Sequence, residues 1–313
     1  MAIRVIVIGG TGHIGSYLSP RLVHAGYDVV CVSRGRRAPY VANDAWDRIT
    51  SVILDRAAEE AAGMFGHRIA DLRPDVVIDI TCYRPENARQ IVEALRGKVR
   101  HFLHCGTIWV HGHSVQVPTT EDAPRRPFGD YGCRKAAIEA YLLEEARGNG
   151  FPATVLHPGH LVGPGWNPIN PAGNFNPEVF ALLAAGSEVL LPNLGMETLH
   201  HVHTDDVAQA FVQAVQHRDA AIGESFHVVS ASALTLRGYA ESVAGWFNQE
   251  PRLRFLPWEE WKTHFSEKDA AFTWDHIAHS PHCSIEKARK LLGYEPRYSS
   301  LDAVSEAVAY RAL

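Results

Sequence analysis

Tyr131-Gly132-Cys133-Arg134-Lys135 sets a phenol and an ammonium four residues apart. On a helix, positions i and i+4 share one face. A free phenol has a pKa of about 10 and is a poor base near neutrality. A neighbouring ammonium, with the positive ring of an oxidised nicotinamide, favours the phenolate. Tyr131 can then take the proton of an alcohol as hydride leaves the carbinol carbon, or return a proton to a carbonyl in the reverse direction. Lys135 would also hold ribose hydroxyls. Thr107 follows an apolar strand, and its hydroxyl is expected to hydrogen-bond the reacting oxygen.

Hydride chemistry needs a dinucleotide, and the first residues supply a cradle for one. Ile3 to Ile8 is a β-branched apolar run, followed at once by Gly9-Gly10-Thr11-Gly12-His13-Ile14-Gly15. Both Gly10-x-Gly12-x-x-Gly15 and Gly9-x-x-Gly12-x-x-Gly15 fit a dinucleotide fingerprint between a strand and a helix. Gly9, Gly12, His13, Ile14 and Gly15 are therefore expected against the cofactor, with the helix N-terminus facing its phosphates. An Asp or Glu on the ribose 2′-OH would mark NAD. Here the second strand ends in Ser33-Arg34, with Arg36 and Arg37 close behind. A guanidinium pairs bidentately with a 2′-phosphate, so Arg34 and Arg36 favour NADP over NAD. Asp55 is expected near the adenine, or else as a helix cap. Lys135 and His157 complete the expected cofactor set.

The elements that must position these groups alternate. Strands are expected at Tyr27–Ser33, Ser51–Asp55, Pro74–Ile80, Val99–Cys105 and Phe151–His157, with helices at Pro85–Arg96 and Tyr131–Arg147. This predicts an α/β fold, a doubly wound parallel Rossmann sheet with right-handed crossovers. From His157 to Pro177 the chain is dense in Pro, Gly and Asn and reads as a long loop. Beyond it, a helix at Glu178–Ala185, a helix after His203 capped by Thr204 or Asp205, a strand at Ser225–Val229, and helices at Thr235–Phe247 and Ser284–Leu292 suggest a smaller C-terminal α+β substrate lobe. The expected division is 1–160 for the dinucleotide and 161–313 for the substrate, with about 200–230 returning to the sheet. His111, His157 and His160 are expected to line the cleft mouth, and Trp166, Asn167 and Asn174 to cover a polyol-like ligand. The trios His200, His201, His203 and His276, His279, His282, the second in a polar loop, read as polar lining. No carboxylate or cysteine completes a metal spacing, so no metal is expected.

The 313 residues are 46% hydrophobic and 21% charged, with formal charge −5. That is an ordinary globular balance and argues against a general nucleic-acid binder. The five cysteines are widely spaced and read as reduced, mostly buried thiols. The first strand begins at the third residue, which leaves no room for a signal peptide. No apolar stretch reaches the ~18 residues of a membrane helix. A cytoplasmic protein is the expectation.

The chain resembles the extended short-chain dehydrogenase/reductase family, which includes NAD-dependent epimerases and dehydratases. The resemblance rests on the glycine turn, Asp75-Val76-Val77-Ile78-Asp79, Cys105-Gly106-Thr107-Ile108-Trp109-Val110-His111-Gly112, Tyr131 to Lys135, His157 to Gly165, and His201 to Ala208. It implies a Thr107–Tyr131–Lys135 catalytic set, Asn87 supporting the lysine through water, a sugar-like substrate, and a homodimer built on the helices Pro85–Arg96 and Tyr131–Arg147. The chain departs from the family pattern in four ways. Glu197 to His203 lacks the arginine that holds a sugar-nucleotide diphosphate. His157 stands where arginine is usual, and Gly106 and His111 replace a serine and a tyrosine. The missing arginine and the Ser284–Tyr294 tail are similar to the subgroup containing the chloroplast stem-loop RNA-binding proteins. Three readings follow: an epimerase or dehydratase, an NADPH-dependent carbonyl reductase, and an RNA-binding or scaffold protein with a vestigial cofactor site.

Overall fold

The structure is a computed structural model and describes residues 2–312. Strand and helix alternate through the first half: β1 (Arg4–Ile8), α1 (His13–His24), β2 (Asp28–Ser33), β3 (Thr50–Ile53), α2 (Arg56–Ala61), α3 (Phe65–Asp71), β4 (Val76–Asp79), α4 (Pro85–Leu95), β5 (His101–Cys105), α5 (Gly129–Gly148) and β6 (Ala153–Pro158). Then come β7 (His160–Val162), α6 (Glu178–Ala184), β8 (Glu188–Pro192), β9 (Thr198–Leu199), β10 (His201–His203), α7 (Thr204–Gln216), α8 (Arg218–Ala221) and β11 (Ser225–Val228). The remainder is β12 (Leu234–Thr235), α9 (Leu236–Trp246), β13 (Arg252–Leu256), α10 (Trp258–Trp261), α11 (Glu267–His279), α12 (Glu286–Leu292) and α13 (Ser300–Ala312).

Seven strands form one sheet in the order β11-β6-β5-β4-β1-β2-β3, and every pairing is parallel. The doubly wound Rossmann arrangement predicted from the alternation is present, and β11 brings the expected return segment back to the sheet edge. Because strand side chains alternate, β1 feeds two cores. Val5 and Val7 pack with α1, α7 and α12; Ile6 and Ile8 pack with α3, α4 and α5. A third cluster joins α6, β8, α9, Trp261 and α13. The strand order reverses between β1 and β4. That reversal leaves a crevice at their C-terminal ends, the usual ligand position in open α/β sheets.

Three local expectations are corrected. The long loop is not wholly irregular: His160–Val162 forms β7, paired in parallel register with His201–His203. The cap of α7 is neither Thr204 nor Asp205 but His203, whose Nδ1 accepts the Asp205 N–H at 3.0 Å. His276 and His279 lie on α11 and are buried, not in a polar loop. The αL residue Ser280 ends that helix just before Pro281, a stop signal that was legible in the sequence.

Candidate active site

The glycine turn sits at the crevice between β1 and β4. Gly9 has φ +89°, and a Cβ there would stand 2.6 Å from Thr81 Cγ2 at the end of β4. A Cβ on Gly15 would stand 2.5 Å from the Gly10 backbone, which is the close helix–turn approach the fingerprint requires. Gly12 caps α1 without a side-chain hydrogen bond, and the first turn carries no acid. Its free N–H groups and positive dipole are left for an anion. These features fit a dinucleotide pyrophosphate.

A cleft of about 690 Å³ runs from this turn across the sheet edge. Gly9, Gly12, His13, Ile14, Arg34, Arg36 and Asp55 line one end; Thr107, Tyr131 and Lys135 line the other. Gly15 does not line it and packs beneath. Ser33 ends β2, and its Oγ accepts the Gly35 N–H at 3.2 Å. Arg36 reaches Asp55 at 3.4 Å. Of its two expected roles, Asp55 takes the helix cap. It borders the cleft, and its Oδ1 caps α2 through the Ala57 and Ala58 N–H groups. Arg37 instead hydrogen-bonds Tyr40.

Helix α5 delivers the phenol and the ammonium as the i, i+4 spacing predicts. Tyr131 is 42% exposed at the cleft, and Lys135 is 2% exposed. Lys135 Nζ donates to the carbonyls of Cys82 at 2.8 Å and Cys105 at 2.6 Å, and lies 4.8 Å above the Tyr83 ring. Desolvation lowers its pKa; Cys105, Cys82 and Asp79 oppose this. Desolvation raises the Tyr131 phenol, Cys105 and Tyr83 add to that, and a hydrogen bond with Thr107 pulls it back. Asn87 borders the cleft, but its amide donates to Glu60 Oε2 at 2.5 Å rather than serving Lys135.

Thr107 is held from behind. Its N–H donates to His157 Nδ1 at 3.0 Å, and His157 Nε2 lies 2.9 Å from Glu139 Oε1. An Nδ1 that accepts must be unprotonated, so Nε2 carries the hydrogen and donates to Glu139. Arg125 completes the chain with two bonds to Glu139, at 3.0 and 2.5 Å. Burial alone would raise the Glu139 carboxyl. His157 and the Arg125 guanidinium outweigh it and hold Glu139 well below the usual carboxylate range. His157 is 0% exposed and does not line the cleft, which corrects its expected cofactor role. Its ring occupies the space a Cβ on residue 106 would need, 2.4 Å from Nδ1. Gly106 and His157, two separate departures in the sequence, are one packing solution.

Other expected cleft residues are also turned elsewhere. His111 is buried, with Nε2 2.8 Å from His227 Nε2. Asn174 is buried and spends its side chain on Asn170, Thr273 and the Asn176 N–H. Asn167 donates to the Phe175 carbonyl. Trp166 does border the cleft, at the glycine-turn end and not beside Tyr131. It stacks on His13 at 4.8 Å with 8° between planes. His160 points away from the cleft, against Trp109 and His276. The sequence reading passed over Glu139, Arg125 and Trp109. Glu139 continues the 131, 135 spacing by four more residues and could have been found there; Arg125 sits in irregular chain with no such signal.

A family model described as the NAD dependent epimerase/dehydratase family matches residues 5–228. The chain is 26% identical to the chloroplast stem-loop binding protein of 41 kDa b of Arabidopsis thaliana, over 97% of this chain and 78% of that protein. It is 25% identical to a UDP-glucose 4-epimerase of Mycolicibacterium smegmatis, over 98% of each. The solved UDP-glucose 4-epimerase of Thermotoga maritima superposes with a TM-score of 0.73 at 22% identity, covering 99% of both chains.

Proposed function

The chain belongs to the NAD dependent epimerase/dehydratase family, and on that premise we propose an NAD(P)-dependent epimerase or dehydratase acting at a hydroxyl-bearing carbon of a sugar derivative. The observation that carries this is the meeting of Tyr131, Thr107 and Lys135 at the far end of the glycine-turn cleft. A bound nicotinamide dinucleotide would supply the reversible hydride acceptor. The chain's own residues do the rest. Tyr131 accepts the alcohol proton, and Thr107 holds the same oxygen. Lys135, fixed by two carbonyls, has one N–H left to offer to the cleft it lines, and its charge favours the phenolate. The apolar surroundings that raise the resting Tyr131 pKa also sharpen its response to any added positive charge.

Ser33 in place of an acid, with Arg34 and Arg36 beside it, supports NADP as the preferred dinucleotide. The separate core around α6, β8 and α9 supports a substrate-binding role for residues 161–313 apart from the returning segment of about 200–230 and α12, which pack on the sheet. Retained oxidised dinucleotide in the purified protein, read by absorbance and by the extracted nucleotide, is the expected result for an epimerase. Tyr131→Phe should abolish turnover while cofactor affinity stays nearly intact, and unchanged turnover overturns the assignment. A salt-sensitive shift with short RNA at physiological ionic strength would favour the stem-loop-binding reading instead.

A further inference from the structure

The sheet has a second end. Ile3, Val76 and His101 stand at the N-terminal ends of β1, β4 and β5. There they line a hollow of about 760 Å³, bounded on one side by the end of α7 and by α8. The dinucleotide cleft lies at the opposite ends of the same strands, about 15 Å of extended chain away, and the two share no residue.

One wall of the hollow is apolar: Ile3, Val76, Val215 and the half-buried ring of Tyr27. The other is basic. Arg100 is exposed, and its guanidinium has neither an ion pair nor a hydrogen bond among the described residues. Arg218 is held in place, with Nε donating to the Arg100 carbonyl at 2.7 Å and Nη1 to Asp219 at 2.8 Å. Asp219 is the one acid on the lining, and its side chain is 95% exposed, so water and salt screen it. Positive charge is left on this wall that no buried carboxylate answers.

His101 forms the inner wall and is buried. Its Nε2 lies 2.8 Å from Thr154 Oγ1, and that hydroxyl donates to the Ala221 carbonyl at 2.7 Å. A hydroxyl has one hydrogen, so Nε2 is the donor to Thr154 and Nδ1 is a bare acceptor. Nδ1 has no partner, which is unusual for a buried polar atom. Burial and the Arg218 charge together hold the ring neutral, with its pKa down to about 3. The anion-binding capacity of the hollow therefore rests on the two arginines. Guanidinium groups pair bidentately with phosphate. Inorganic phosphate would leave the apolar wall bare, and an uncharged apolar ligand would leave the arginines unanswered. A fitting ligand joins a phosphate to a flat body that lies against Tyr27, and brings hydroxyl or amino donors to a lining that ends in an acceptor.

We propose that this hollow is a second ligand site, for a nucleoside monophosphate, separate from the dinucleotide cleft and independent of the hydride-transfer reading.

The test titrates AMP, adenosine and inorganic phosphate by calorimetry into the full chain carrying Arg34→Ala and Arg36→Ala, which removes the competing guanidinium groups of the dinucleotide cleft. AMP should bind, with adenosine and phosphate each weaker by about tenfold or more. Adding Arg100→Ala should weaken AMP by about tenfold or more, in a protein that still folds because that side chain holds nothing else in place. Tyr27→Leu should weaken AMP and leave inorganic phosphate as it was. No AMP binding, AMP affinity equal to that of phosphate, or AMP binding that Arg100→Ala leaves unchanged each overturns the site. NADP titrated into the otherwise unaltered chain should bind the same with and without Arg100→Ala, and a loss there would merge the two sites and overturn their separation.

Discussion

Gly106→Ala is the sharpest probe of the chain that holds Thr107. The added methyl would lie 2.4 Å from His157 Nδ1 and 2.7 Å from Cε1. Ordinary contact begins at 3.4 Å, so the ring must retreat by about 1 Å. It has nowhere easy to go, being fully buried and bonded at both nitrogens. Overpacking costs about 1–3 kcal/mol. Losing the Thr107 N–H bond leaves a buried donor unpaired, another ~1–3 kcal/mol. The sum is about 2–6 kcal/mol, which for a chain of this length shifts Tm by roughly 3–9 °C. Urea denaturation of the single and double variants separates the two contributions. His157→Ala alone loses the Glu139 and Thr107 bonds. In the double variant the methyl enters vacated space and the Thr107 bond is lost only once, so the combined cost should fall short of the sum by about 2–6 kcal/mol. Additive costs within ~0.5 kcal/mol would refute the claim that the two residues form one packing solution.

Arg125→Met leaves Glu139 buried without its guanidinium and should cost about 3–5 kcal/mol by urea denaturation; a loss under ~1 kcal/mol would mean His157 alone satisfies the carboxylate. Arg34→Ala combined with Arg36→Ala should weaken NADP at least tenfold and leave NAD nearly unchanged in parallel titrations, whereas a wild-type preference for NAD would overturn the arginine argument. Acid should unfold the protein early. Burial pushes His101, His200 and His201 down to about 3, and His276 and His279 to about 4. Unfolded histidine titrates near 6.5, so below that pH the unfolded chain gains protons the native chain refuses. Stability is full above pH 6.5 and falls by about 1.4 kcal/mol per pH unit for each such histidine as pH drops toward 4. Tm measured from pH 7 to 5 should decline steeply, and a flat profile would count against neutral buried imidazoles.

The parts of this protein that were legible from its residues are those with a local physical signature. Gly9 to Gly15 between an apolar run and an amphipathic helix carries its meaning within fifteen residues, and the Tyr131–Lys135 spacing within five. β7 carries none: its three residues become a strand only because His201–His203, 41 positions on, lie beside them. The His203 cap was hidden for a related reason, since imidazole is not among the usual capping side chains. The cleft histidines were misplaced because position after a strand gives the neighbourhood of a side chain but not its direction. His157 and His111 both turn inward, where Glu139 and His227 meet them. Only the opposing strands and α5 determine that.

The stack of Trp166 on His13 bears on time more than on affinity. Gly165 carries the loop so close over Tyr40 that a Cβ there would stand 2.6 Å from the ring. His13 is pinned in turn by Thr204 Oγ1 at 2.9 Å. Trp166 lines the same cleft as the glycine turn, so a dinucleotide held there would lie close to this indole. Were its departure to require the 163–167 segment to move, that loop motion would take far longer than the transfer of a hydride between two carbons. An enzyme that returns to its substrate what it removes loses nothing by such a slow exit. One that must trade its nucleotide every cycle would find its tempo set by a tryptophan.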